Sequence, residues 1–260
     1  MALKYLAIVI MALVPLANTV CGDELPPTSA RPLRVLIVTG GCCHDYEFQT
    51  RSLQDAAARE GLDIQWQVVH EGGNGTQAKI GLYDNPSWAK DFDCIVHNEC
   101  FADTKDPEYI RKITEVHRSG VHAVVIHCAM HTYRAAEIDD WRQFLGVTSR
   151  RHDHQSRYPV KVLKPDHFTM QAIPTDYVTP KDELYIIEKV WPDTTVLAES
   201  ASENDGVQQP VFWTNQFGKA RVFGTTYGHS NETFSDAVFL RTLLLGIQWA
   251  AGSPATASAP

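Results

Sequence analysis

The chain is short of positive charge. Its 23 Lys+Arg stand against 31 Asp+Glu, a formal net charge of −8. A general nucleic-acid binder needs a basic face for phosphate contacts, so this balance argues against nucleic acid as a partner. Cysteine is scarce as well. Six in 260 residues are too few for a disulfide-built scaffold of this size. No C-x-x-C is present, which removes the usual structural zinc knuckle. P-loop, G-x-G-x-x-G and G-x-S-x-G motifs are all missing. Gly72-Gly73-Asn74-Gly75 lacks the strand-to-helix setting of a phosphate cradle, so no nucleotide is expected. There is no internal repeat and no linker in the middle, and a single domain over 32–251 is the simplest reading. With 44% hydrophobic and 21% charged residues, the composition is that of a globular protein. The unusual abundance is histidine, at eleven.

The one long uncharged run is Tyr5 to Val20, behind Lys4 and ahead of Asp23 and Glu24. It is shorter than the ~20 residues of a spanning helix and reads as a secretory signal over 1–22. The expected location is therefore periplasmic or secreted, with no membrane span once the signal is removed. Cys21 invites a lipoprotein reading, but Val20 is a poor neighbour for a lipid-attachment box. If Cys21 leaves with the signal, Cys42, Cys43, Cys94, Cys100 and Cys128 remain. An odd number in an exported protein leaves at least one free thiol. Adjacent Cys42 and Cys43 are not expected to pair with each other. The tail 252–260 is small and polar, with nothing to bury, and is expected to be disordered.

The body alternates strands and helices. Apolar runs at 34–39, 64–69, 93–97 and 122–127 read as strands, and 48–60, 106–119 and 136–145 as helices. The second half is richer in strands, at 160–163, 184–188, 195–198, 211–214 and 220–225, and closes with a helix over 235–251. The opening βαβ rhythm points to an α/β three-layer sandwich of flavodoxin-like type, with a mostly parallel central sheet.

In such sheets, ligands bind outside the carboxyl ends of the strands. Four strand ends carry titratable groups: Gly40-Gly-Cys-Cys-His44, His97-Asn-Glu-Cys100, His127-Cys-Ala-Met-His131, and Thr225-Thr-Tyr-Gly-His229. His44, His127 and His229 are expected in one pocket, with Glu183 or Tyr185 beside them. His44, His127, Glu183 and His229 are the catalytic candidates. Cys128, His131, His154, Tyr185 and Tyr227 are candidates for substrate contact. His97 fits a satisfied core residue better, and His70, His117 and His122 need no catalytic role. His152 and His154 at i and i+2 would share one side of a strand and offer two imidazoles to a metal, or form a charged surface loop. A divalent ion held by His127 and His229 is weighed against histidines that act only through hydrogen bonds.

Taken together, Val35-Leu-Ile-Val-Thr-Gly-Gly with His44, Ala123-Val-Val-Ile-His-Cys-Ala, the His154 region, Asp182-Glu-Leu-Tyr185 and Gly218-Lys-Ala-Arg-Val-Phe-Gly-Thr-Thr-Tyr-Gly-His229 resemble the ThuA-like, trehalose-utilisation family. The resemblance covers roughly Arg34 to Trp249. The family pattern at the fourth strand usually has a Gly-rich lead-in and His-Ser, where this chain has Ser119-Gly-Val-His122 and His127-Cys128. The resemblance implies the fold of class I glutamine amidotransferases, without their activity. It also implies carbohydrate metabolism, with 3-keto sugars or glycosides as the substrate class. Three functions follow as expectations. One is an exported enzyme that removes a proton next to a ketone, leading to elimination or isomerisation. Another is a non-catalytic sugar-binding module with tryptophans as stacking faces. The third is an amidotransferase- or hydrolase-like enzyme with Cys128 as nucleophile, His229 as base and Glu232 as orienting acid.

Overall fold

The computed structural model describes residues 31–252; the expected signal, Cys21 and the tail from 253 lie outside them. Ten strands and four helices follow one another: β1 (Leu33–Gly41), α1 (Tyr46–Arg59), β2 (Ile64–His70), β3 (Cys94–Cys100), α2 (Pro107–Arg118), β4 (His122–Ile126), α3 (Asp140–Leu145), β5 (Val147–Ser156), β6 (Lys161–Val162), β7 (Asp182–Val190), β8 (Thr194–Ala201), β9 (Gln208–Phe217), β10 (Ala220–Thr225) and α4 (Ala237–Ala251). Eight strands form one sheet in the order β2-β1-β3-β4-β10-β9-β8-β6. The first five of that order are parallel, and the other three are added antiparallel.

The central strands are apolar on both faces because helices cover both. Along β1, Val35 and Ile37 enter one core with Leu53 and Ala57 of α1 and Leu243, Leu244 and Ile247 of α4. Their neighbours Leu36 and Val38 enter the other, with Ile110 and Ile113 of α2 and Trp141 and Phe144 of α3. The period-2 alternation of a strand thus feeds two helical layers. Helix starts are marked by aspartates. Asp45 accepts from the Phe48 N–H, Asp106 from those of Glu108 and Tyr109, and Asp236 from that of Phe239.

The third helix departs from the sequence reading: it is six residues long and begins at Asp140, not Ala136. Of the two alternatives for the His152 region the strand is observed and the surface loop is not, but the strand is outside the main sheet. The region lies in β5, which pairs antiparallel with β7 as a separate two-stranded ribbon. That ribbon carries Glu183 and Tyr185 to the carboxyl edge of the parallel strands.

Candidate functional site

Four strands of the main sheet end at one rim. At the end of β1, Gly40 and Gly41 both take positive φ, and a Cβ on Gly41 would lie 2.2 Å from the Cys100 carbonyl oxygen. The sharp turn this permits sends Cys42, Cys43 and His44 over the rim. After β4, His127 opens a 3-10 turn at φ 45, an uncommon left-handed conformation for a side chain of this size. After β10, Gly228 at φ 131 lets the chain turn so that His229 comes back over β4.

The three imidazoles meet. Ring centroids lie 4.9 Å apart for His44 and His127, 4.9 Å for His44 and His229, and 5.4 Å for His127 and His229. Glu183 joins them from β7. Its Oε2 lies 3.4 Å from His229 Nδ1, 3.6 Å from His127 Nε2 and 3.7 Å from His152 Nδ1. A cleft of about 260 Å³ is lined by His44, Glu183 and His229 with Cys42, Cys43, Cys100, Cys128, His131, Arg134 and Tyr185, and buried His127 lies behind them. A larger groove of about 760 Å³ lies beside Pro159, Val162 and Met170. It contains no histidine, carboxylate or thiol, so the smaller cleft is the one with chemistry.

Hydrogen bonds fix the ring tautomers. His127 Nδ1 donates to the Thr226 carbonyl at 2.6 Å, which leaves Nε2 with a lone pair toward Tyr185 and Glu183. The Tyr185 hydroxyl lies 3.2 Å from that nitrogen. The Tyr46 hydroxyl donates to the Cys42 carbonyl and so accepts from His44 Nδ1 at 3.2 Å. That frees His44 Nε2, which lies 3.1 Å from His229 Nδ1. On the far side, the Gln155 amide donates to His229 Nε2 at 2.8 Å. Below the ring, buried Asp182 accepts from the backbone N–H groups of Gly228 and His229 and from the Thr233 hydroxyl. This anchors the loop that carries the imidazole.

Environment separates the histidines. Burial lowers His44 to about 4, helped by the charge of His229. Burial also lowers His127 well below its ordinary value and brings His131 to about 3. His229 moves the other way, because its hydrogen bond to Glu183 outweighs burial. Burial works to raise Glu183, but the His229 bond and the neighbouring imidazole charges hold it below the usual carboxylate range. Asp182 is raised to about 6 by full burial, against the pull of its hydrogen bonds.

His44, His127, Glu183 and His229 are therefore brought together, with Cys128, His131 and Tyr185 in the same wall. His131 stacks on Tyr185 at 4.0 Å and hydrogen-bonds the Ser149 hydroxyl. Two candidates for substrate contact lie elsewhere. A register shift between His152 and Gln155 turns His154 out to Glu203, 2.7 Å away, so the two histidines of the pair do not converge. Tyr227 is buried in the core, where its hydroxyl donates to Ser200. His97 lies inside the fold, bonded to Glu99 and His117.

The thiol reading finds no assembled triad. Cys128 Sγ contacts Cys100 Sγ at 2.8 Å and the Tyr185 hydroxyl at 3.6 Å, and the Cys100 bond and burial push its pKa upward. Glu232 pairs on the surface with Arg157. No tryptophan lines the cleft, and its one phenol ring is Tyr185. The expectation for Cys42 and Cys43 is corrected: they form a disulfide with each other. Their Cα atoms lie 3.7 Å apart, the ordinary spacing of neighbours across a trans peptide, and Cys43 takes φ 87 in the turn after Gly40-Gly41, where the two sulfurs are bonded.

Sequence reasoning did not single out Gln155, Arg134 or the anchoring part of Asp182. Gln155 and Arg134 carried no motif, and Asp182 showed only as one of a pair of acids at a strand start.

The comparisons agree with this architecture. A ThuA-like protein from Parabacteroides merdae superposes with a TM-score of 0.72 at 19% identity, covering 88% of this chain and 94% of that one. One from Bacteroides uniformis gives 0.65 at 16% identity, covering 88% and 95%. The β-galactosidase of Bacillus circulans sp. alkalophilus gives 0.56 at 12% identity, over 88% of this chain but 32% of its own. At these identities the likeness is one of fold. No curated protein matches the sequence. The family model for ThuA, described as trehalose utilisation, matches residues 34–250, and the chain belongs to that family.

Proposed function

We propose that the protein is an exported enzyme acting on oxidised (3-keto) sugars or glycosides, by removing the proton on the carbon next to the ketone. Family membership supports the carbohydrate setting. The vicinal disulfide fits an oxidising compartment, as the apolar run behind Lys4 does. The observation that carries the chemistry is the convergence of His127 and His229 on one carboxylate, Glu183.

His229 is the base. It is raised while His44, His127 and His131 are lowered, so among these rings it holds a proton best near neutrality. Glu183 accepts from its Nδ1 side, fixes the tautomer and stabilises the imidazolium as it forms. The working lone pair is then on Nε2, where the Gln155 amide donates in the structure and where substrate would replace it. The C–H electrons form a C=C bond and the ketone oxygen gains the negative charge. That enediolate either expels the glycosidic oxygen or takes a proton back as an isomer. Tyr185 and Arg134, both in the cleft wall, would donate to the developing charge.

The donor set also fits a divalent ion. His127 Nε2, a His229 nitrogen and a Glu183 oxygen offer ligand atoms within 4.8 Å of one another, and the Thr226 carbonyl fixes the His127 tautomer. A bound zinc-like ion would polarise the ketone. Ion and proton would then compete for the same His229–Glu183 pair.

Turnover of a 3-keto glucoside, with and without chelator and added zinc, tests the reading. Multiple turnovers lost in His229→Asn and Glu183→Gln are expected. Stoichiometric binding without turnover at every metal condition would leave a sugar-binding module instead.

A further inference from the structure

Four of the five cysteines in the described residues surround the same cleft, and their sulfurs form a chain. Exposed Cys43 is bonded to half-buried Cys42. Cys42 Sγ lies 3.6 Å from Cys100 Sγ, and Cys100 Sγ lies 2.8 Å from Cys128 Sγ. The sheet fixes this order. In the register of β1 and β3, Gly41 lies opposite Cys100, and the Cys42 N–H reaches the Cys100 carbonyl at 3.3 Å. The turn that carries Cys128 is tied to β3 at both sides of Cys100. The Thr132 hydroxyl donates to the Glu99 carbonyl and accepts from the Phe101 N–H. Cys94 is fully buried in the α1/α4 core and takes no part.

We propose that these four cysteines carry out an internal thiol–disulfide exchange, moving one disulfide from the surface turn to the floor of the catalytic cleft. In the first step, Cys100 Sγ attacks Cys42 Sγ. The Cys42–Cys43 bond breaks, a Cys42–Cys100 bond forms, and Cys43 leaves as a thiolate. In the second step, Cys128 Sγ attacks Cys100 Sγ. The Cys42–Cys100 bond breaks, a Cys100–Cys128 bond forms, and Cys42 leaves. One disulfide and two thiols are present before and after. The protons lost by Cys100 and Cys128 end on Cys43 and Cys42. No outside oxidant or reductant is consumed. Attack through a mixed disulfide is the ordinary route of such exchange.

The two ends of the exchange differ in what they do to the cleft. With the bond at Cys42–Cys43, Cys128 keeps its contact to the Tyr185 hydroxyl, which faces His127. With the bond at Cys100–Cys128, the Cys128 thiol no longer exists, and the turn before His44 is released from its ring. The exchange therefore couples the redox state of the surface pair to the wall of the histidine site. It does not depend on which reaction the histidines perform.

Disulfide mapping tests this on the full chain. Protein freed of small thiols and disulfides is held under nitrogen for a series of times, quenched in acid, unfolded, alkylated and digested. The Cys100–Cys128 peptide is expected beside the Cys42–Cys43 one in the wild type. Cys128→Ser, which removes the second nucleophile, is expected to gather the Cys42–Cys100 link. Circular dichroism checks that the variant is folded. Cys94→Ser is expected to change neither pattern. If wild-type protein gives no Cys100–Cys128 link at any time, the exchange does not occur, whether or not the variant folds. A folded Cys128→Ser that shows only the Cys42–Cys43 link would equally overturn it.

Discussion

His127 bears the most constraint of any single residue in the site. It is nearly inaccessible, takes a positive φ, and spends its Nδ1 proton on the Thr226 carbonyl. Strain of this kind, about 1–3 kcal/mol, persists where the surroundings over-determine it. Asn tolerates the left-handed region better than most residues. His127→Asn is therefore expected to melt within a few degrees of wild type while turnover falls by about 10²-fold or more. A variant with wild-type turnover would remove His127 from the chemistry. Glu183→Gln takes away the acceptor that raises His229. The acidic limb of a kcat/KM profile should then move to lower pH, with kcat down by about 10²–10³-fold. An unmoved limb would mean that Glu183 does not set the base. At this scale the sequence was informative where a histidine ended an apolar run, as at 44, 127 and 229. It was silent on Gln155, whose contact to His229 comes from a register shift in β5. It misled on Cys42 and Cys43, whose pairing depends on a backbone turn that residue types alone do not specify.

At the scale of elements, the rim is built by strand ends and the lid by a ribbon. The parallel strands were readable because both faces of each are apolar, which leaves an unbroken run between Gly and polar stops. The β5–β7 ribbon was harder. Only β7 has an apolar stretch, while β5 reads Arg-Arg-His-Asp-His along its middle. Its strand character comes from pairing, not from its own pattern. Helix α4 was plain in the sequence, and its role is to hold the sheet from behind. Leu243 is fully buried there among residues of α1, β4 and β10. Leu243→Ala should lower stability by about 2–5 kcal/mol, seen as a shift of the urea midpoint. A shift under about 0.5 kcal/mol would show that the layer is not packed as described.

For the whole molecule, buried neutral histidine is the dominant electrostatic feature. His44, His117, His127 and His131 all have lowered pKa values, each chiefly through burial. A base with a depressed folded pKa lends stability above its unfolded pKa and loses it as pH falls. Below about pH 6.5 each such residue takes a proton on unfolding, worth about 1.4 kcal/mol per pH unit until its folded value is reached. Asp182 has the opposite sign. Raised to about 6, it favours the folded state as pH drops through that value, and it offsets part of the loss. The net expectation is a melting temperature that declines steadily from about pH 6.5 to pH 4.5. A flat profile over that range would mean these rings charge without unfolding.

The central claim is that the His127–Glu183–His229 cluster removes a proton next to a sugar ketone. Solvent isotope exchange reads that step alone, whatever the later fate of the enediolate. A 3-keto glucoside is incubated with enzyme in D2O and the carbons flanking the ketone are followed by NMR. Deuterium is expected at a flanking carbon, in remaining substrate or in product, at a rate that falls by about 10²-fold in His229→Asn. Turnover with no deuterium at either carbon, or exchange unchanged in His229→Asn, would contradict it.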